Sequence, residues 1–243
     1  MPAETCCTAR AVDRPEWRRA VRDTLPMLLG FVPIALVLGA QAAQKGLSAP
    51  ELMLMTGFNF AGGSEFVAID LWSAPPPALL IVAMTLLVNS RHVLMGAALA
   101  PFLAHLPLPR ALAALFLMCD ESWALGIARS RVRRDAGRTP AFAPSYYFVS
   151  ALMLWSTWVA FTGLGAAIGP WVGDIRPWGF DMAFAAIFLV LMRGMWSGIR
   201  AARPWLVSLV AAGATYLLAP GGWYVLVGAV AGVASAWVWG GRE

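Results

Sequence analysis

Apolar runs of membrane-spanning length recur along this chain, separated by short connections rich in helix breakers. Eight such segments stand out, at about 25–43, 51–72, 78–104, 111–128, 146–169, 179–197, 205–219 and 223–239. A helix needs about 20 apolar residues to cross roughly 30 Å of hydrocarbon. The pattern therefore predicts an all-α, polytopic transmembrane bundle of about eight crossings, with broken or re-entrant helices near the midplane. Gly46-Leu47-Ser48-Ala49-Pro50, Ser73-Ala74-Pro75-Pro76-Pro77, Pro107-Leu108-Pro109 and Ala219-Pro220-Gly221-Gly222 punctuate the runs. Only 129–145 is long and polar, and it is predicted as a loop. Residues 1–24 form a basic arm with no apolar stretch ending in a cleavage site, so they read as a cytoplasmic tail. An interfacial helix can open at Pro15-Glu16-Trp17, and residues 25–239 are expected to form a single transmembrane domain.

Composition agrees with the pattern. Of 243 residues, 60% are hydrophobic and 13% charged, and the mean hydropathy is +0.68; a soluble domain carries about 25% charged residues. No ten-residue segments alternate apolar and polar positions as an outer-membrane barrel requires. The net charge of +5 implies no nucleic acid, because the cations sort by topology. With eight crossings, 14 of the 18 Lys and Arg fall on the side of the N-terminal arm. Lys45, Arg110 and Arg176 fall opposite, and Arg91 lies within the membrane. By the positive-inside rule, both ends are expected in the cytoplasm of a multi-pass bacterial inner-membrane protein. A re-entrant second segment would leave seven crossings and put Arg129–Arg138 on the wrong side unless another segment also failed to cross; it is disfavoured. Cys6, Cys7 and Cys119 form neither a metal spacing nor a disulfide framework.

Three polar sites break the apolar pattern at mid-membrane depth. Asn89-Ser90-Arg91-His92 interrupts the run 78–104, and a charge there costs about 2.5–3.5 kcal/mol on insertion scales. Arg91 can take a carboxylate bidentately, from substrate or protein; as a structural partner the candidates are Glu65 and Asp120, with Glu65 favoured. Asn59-Phe60-Ala61-Gly62-Gly63-Ser64-Glu65 interrupts 51–72. Its glycines either weaken the helix, freeing backbone groups for a ligand, or merely form a small-residue packing face. Asp120-Glu121 interrupts the run 111–128. Either carboxyl is a candidate carrier of a coupling proton. His92 is a candidate relay group, more simply read as a packed, hydrogen-bonded side chain. Nucleotide-binding, hydrolase and metalloprotease signatures are missing, so no cofactor, no metal and no catalytic residue is expected.

At these motifs the chain resembles the AzlC-like family of bacterial branched-chain amino-acid permeases, the large subunits of two-component exporters. The matching elements are Gly30-Phe31-Val32-Pro33, Gly39, Gly46-Leu47-Ser48, Phe60-Ala61-Gly62-Gly63-Ser64-Glu65-Phe66, Asn89-Ser90-Arg91-His92 and Asp120-Glu121. The resemblance covers about 20–165 and leaves a helical tail, 166–239. Glu65 departs from it, since the family commonly has Gln there. The resemblance implies export of branched-chain or related neutral amino acids, powered by an ion or substrate gradient. It also implies a small membrane partner of the AzlD type. On that reading Asn59, Phe60, Ala61, Gly62, Gly63, Ser64, Glu65, Asn89 and Arg91 contact substrate, with Phe60 and Phe66 accepting a branched side chain. Glu65, Arg91, His92, Asp120 and Glu121 form the ion-pair or coupling set. The alternatives are a non-transporting assembly subunit, for which the charges are structural, and an intramembrane enzyme using His92, Asp120 and Glu121.

Overall fold

The computed structural model describes residues 15–172, 202–218 and 223–240, together with 189, 193, 198 and 199. The predicted segment 179–197 therefore lies almost wholly outside the described residues, as do 1–14 of the arm. Every described element is helical: α1 (Glu16–Gln44), α2 (Ala49–Asn59), α3 (Gly63–Asp70), α4 (Ala78–Leu103), α5 (Leu108–Phe116), α6 (Asp120–Asp135), α7 (Pro144–Val172), α8 (Arg203–Leu218) and α9 (Trp223–Gly240). Three of them, α1, α4 and α7, are long and apolar enough to cross a membrane.

The spine of the molecule is the pair α1 and α7. Small residues let their backbones meet: a Cβ on Gly39 would collide with the Thr162 carbonyl, and one on Gly165 with the Leu36 carbonyl. In lipid, where burying apolar surface gains little, such close approach is what holds helices together. Leu38, Leu52, Phe60, Phe66, Ile69, Leu154 and Trp158 complete the core around this contact.

The segments 51–72 and 111–128, expected as single crossings, are each broken into two short helices, α2–α3 and α5–α6, that fold back as hairpins. α1 rises about 44 Å over its 29 residues, placing Glu16 and Lys45 on opposite faces. α2 starts beside Lys45 and descends along α7, with Trp155 Nε1 donating to the Gly57 carbonyl at 2.9 Å. α3 then climbs back, because Lys45 Nζ donates to the carbonyls of Asp70 at 2.9 Å and Trp72 at 3.3 Å. The second hairpin mirrors the first from the other face. α5 starts just past the end of α4, where His105 meets Phe142 near the start of α7. α6 returns to that same face, since Arg129 and Arg133 both bind Glu16.

Two segments thus turn back on themselves, and the arginines group on one face. Arg110 moves to the Glu16 face. Among the described residues up to 172 that face holds Arg18, Arg19, Arg22, Arg110, Arg129, Arg131, Arg133, Arg134 and Arg138, and the opposite face only Lys45. Two boundaries also shift. α1 absorbs the end of the arm from Glu16, and α6 runs through Arg129–Asp135, half of the predicted polar loop. The α8–α9 hairpin packs mainly against itself, through Gly228 and Gly232 on Ser208 and Ala212.

Candidate functional site

The two hairpin tips meet beside the middle of α4, where Arg91 reaches both. At the first tip α2 ends when Phe60 turns left-handed, at φ 42° and ψ 49°. Gly62, at φ 54° and ψ −76°, restarts the chain as α3; only glycine takes that second conformation without a Cβ penalty. Ala61 is left between helices with both backbone groups in need of partners. Its N–H donates to Glu65 Oε1 at 3.1 Å, and its carbonyl accepts from Arg91 Nη2 at 3.0 Å.

At the second tip, α5 stops at Phe116 and α6 begins at Asp120. The Cys119 N–H donates to Ser122 Oγ at 2.9 Å, a serviceable start for a helix. Asp120 and Glu121 occupy its first turn, where the helix dipole favours negative charge. Trp123 Nε1 donates to the Met95 carbonyl at 3.0 Å, tying this tip to α4.

Arg91 sits midway along α4 and bridges the two tips. Its Nη1 lies 2.8 Å from Asp120 Oδ2, while Nη2 holds the Ala61 carbonyl. Two charge-assisted bonds, worth about 1.5–3 kcal/mol each, offset an insertion cost of about 2.5–3.5 kcal/mol. The expected pairing of Arg91 with Glu65 is thereby corrected. Glu65 is fully buried, and both of its oxygens are occupied elsewhere: Oε1 by Ala61 N–H and Oε2 by Trp158 Nε1–H at 2.7 Å. It clamps the first tip to α7, whereas Asp120, in the first turn of α6, points at the guanidinium.

Around the bridge lies a cavity of about 100 Å³. Phe31 and Ile34 of α1, Phe60, Phe66 and Trp158 wall it with apolar surface; Ala61, Gly62, Gly63, Arg91, His92, Cys119, Asp120 and Glu121 complete the lining. Buried Arg91 Nε makes no hydrogen bond among the described residues, leaving a donor at the site. Small-molecule sites usually measure about 300–1,000 Å³, so this cavity is smaller than most.

The predicted residues thus divide. Phe60, Ala61, Gly62, Gly63, Arg91, His92, Asp120 and Glu121 line the cavity. Asn59, Ser64 and Asn89 stand beside it in a hydrogen-bonded chain: Asn89 Nδ2 donates to Asn59 Oδ1 at 3.0 Å, and Asn59 Nδ2 to Ser64 Oγ at 2.8 Å. Glu65 stands behind. The sequence reading missed Ile34, Cys119 and Trp158, and it noted Phe31 only within a motif. Trp158 carried a legible signal, since an indole in mid-span rather than at a helix end must find an acceptor for its N–H. Among the described residues no group of three or more His, Cys, Asp and Glu could hold a metal.

Known proteins give this geometry a context. The family model described as AzlC protein matches residues 26–172, the stretch containing both hairpins and all of the cavity. The chain is 26% identical over 182 residues to the branched-chain amino acid transport protein AzlC of Bacillus subtilis, covering 74% of this chain and 68% of that one. It is 29% identical over 150 residues to the inner membrane protein YgaZ of Escherichia coli, covering 61% of this chain and 59% of that one. A membrane protein of Archaeoglobus fulgidus is 28% identical over 180 residues, covering 72% and 74%. No solved structure matches. The chain therefore belongs to the AzlC family of membrane proteins.

Proposed function

We propose that the chain is a secondary transporter that exports branched-chain or related small neutral amino acids across the bacterial inner membrane. The observation that carries this reading is the Arg91–Asp120 pair, held between two hairpin tips at the edge of an aromatic-walled cavity. An amino-acid zwitterion matches both partners. Its carboxylate replaces Asp120 on the guanidinium, and its ammonium takes Asp120, Glu121 or the Ala61 carbonyl. A branched side chain packs on Phe31, Ile34, Phe60, Phe66 and Trp158. The name of the Bacillus subtilis relative favours this substrate class.

Separating Arg91 from Asp120 frees a carboxylate to take up a proton, which couples substrate entry to a proton or ion gradient. Asn59, Ser64, Asn89 and Glu65 position the tips, and His92 serves as a neighbouring relay. By the positive-inside rule, the excess of arginines on the Glu16 face favours a cytoplasmic N-terminus. A small AzlD-type membrane subunit completes the transporter.

Efflux of radiolabelled valine, leucine and methionine from cells expressing the chain with its partner tests the assignment. Arg91→Ala and Asp120→Asn are expected to abolish efflux while membrane abundance stays near normal. Efflux unchanged in both variants overturns the substrate role. Loss of abundance in step with efflux assigns the pair to assembly instead, the second reading that a resident ion pair favours.

A further inference from the structure

A second charged hollow lies far from the cavity, on the face where α1 begins and α6 ends. Arg18, Arg19, Arg22, Asp23 and Arg129 line about 270 Å³ there. The nearby carboxylates are already engaged: Glu16 by Arg129 at 2.6 Å and Arg133 at 2.8 Å, and Asp23 by the Tyr146 hydroxyl at 2.9 Å. Arg18, Arg19 and Arg22 line the hollow with Asp23, and Arg129, paired with Glu16, closes it. Arg18 and Arg22 are exposed, and neither is in an ion pair among the described residues.

The direction of the exposed arginines matters. Arg18, Arg22, Leu25 and Leu29 follow at i, i+4, i+7 and i+11, one stripe of α1. Leu25 and Leu29 are 58% and 80% exposed, and Trp17, under the Arg18 guanidinium, is 49% exposed. A cationic hollow thus sits at the head of an apolar track running into the bilayer, with an aromatic ring at the interface.

We propose that this hollow binds the phosphate headgroup of an anionic phospholipid, whose acyl chains lie along Leu25 and Leu29. Guanidinium forks match phosphate oxygens bidentately, and basic pockets between membrane helices hold anionic headgroups. A soluble phosphate would use the arginines but not the leucines. The bound lipid braces α1 against α6, the helices that bring Phe31 and Asp120 to the central cavity. The site is independent of what that cavity transports.

Thermal unfolding of the purified full chain in neutral detergent tests the proposal, with phosphatidylglycerol, phosphatidylcholine or inorganic phosphate added. Phosphatidylglycerol is expected to raise the midpoint by several degrees, and the other two to leave it unchanged. R18Q/R22Q is expected to bind phosphatidylglycerol roughly thirtyfold more weakly, at about 1 kcal/mol per arginine. R131Q/R134Q, which removes the same charge outside the hollow, should bind as the unmodified chain does. Equal effects of phosphatidylglycerol and phosphatidylcholine overturn the site. Equal effects of phosphatidylglycerol and inorganic phosphate overturn its assignment to lipid. Undiminished binding by R18Q/R22Q overturns its location.

Discussion

Glu65 shows how a costly residue becomes a structural one. It is buried in a span where a bare carboxylate would be expelled, yet both oxygens accept hydrogen bonds from groups that also lack alternatives, Ala61 N–H and the Trp158 indole. Removing one partner leaves a buried polar atom unsatisfied, at about 1–3 kcal/mol. Trp158→Phe keeps the ring and deletes the donor, so its expected outcome is a lower unfolding midpoint in detergent with the cavity wall retained. The sequence exposed Glu65 as an intramembrane carboxyl but favoured Arg91 as its partner, where the structure has Ala61 and Trp158. Partner choice depends on which tip faces which helix, and neighbouring residues cannot report that. Asp120 was equally visible, and it won Arg91 because α6 begins there and directs its first turn at α4.

At the scale of elements, the decisive feature is the interruption. Ala-Gly-Gly in an apolar run signals weak helix, and the structure turns that weakness into a reversal built from Phe60 and Gly62 at positive φ. A Cβ at Gly62 would meet Trp158 no closer than 3.8 Å, so the obstacle to replacement is conformational rather than steric. Gly62→Ala is expected to cost about 1–2 kcal/mol and to lower the unfolding midpoint. Gly30→Ala provides the contrast, because Gly30 sits within α1 with nothing within 4 Å of its Cβ position. Alanine there raises helix propensity by about 0.8–1 kcal/mol, and the midpoint should hold or rise. Glycine content alone could not separate these roles, since it does not encode φ.

Seen whole, the described core is three crossing helices with a hairpin entering from each face. That arrangement makes a labelling prediction that differs from eight crossings. Lys45→Cys and Ser73→Cys should react with an impermeant thiol reagent from one side of the membrane. Arg110→Cys and Arg131→Cys should react only from the other; eight crossings would put Arg110 with Lys45. The measurement is reagent access in intact cells against inside-out vesicles, with the native cysteines replaced. Charge counting and the two hairpins both group Arg129–Arg138 with the Glu16 end of α1, because two reversals preserve parity.

Hydropathy and length by themselves determined that this is a helical membrane protein, since the energy of an apolar run in lipid depends on composition and not on neighbours. The sequence likewise located the three polar interruptions, because a charge in such a run is costly in any arrangement. Whether each interrupted run crosses or returns was decided only by tertiary structure. A run of about twenty residues satisfies its backbone equally well as one helix or as two shorter helices whose tip finds partners. Those partners, Arg91 for Ala61 and Asp120, and Trp158 for Glu65, lie 29 to 93 residues away and become neighbours only when the bundle closes.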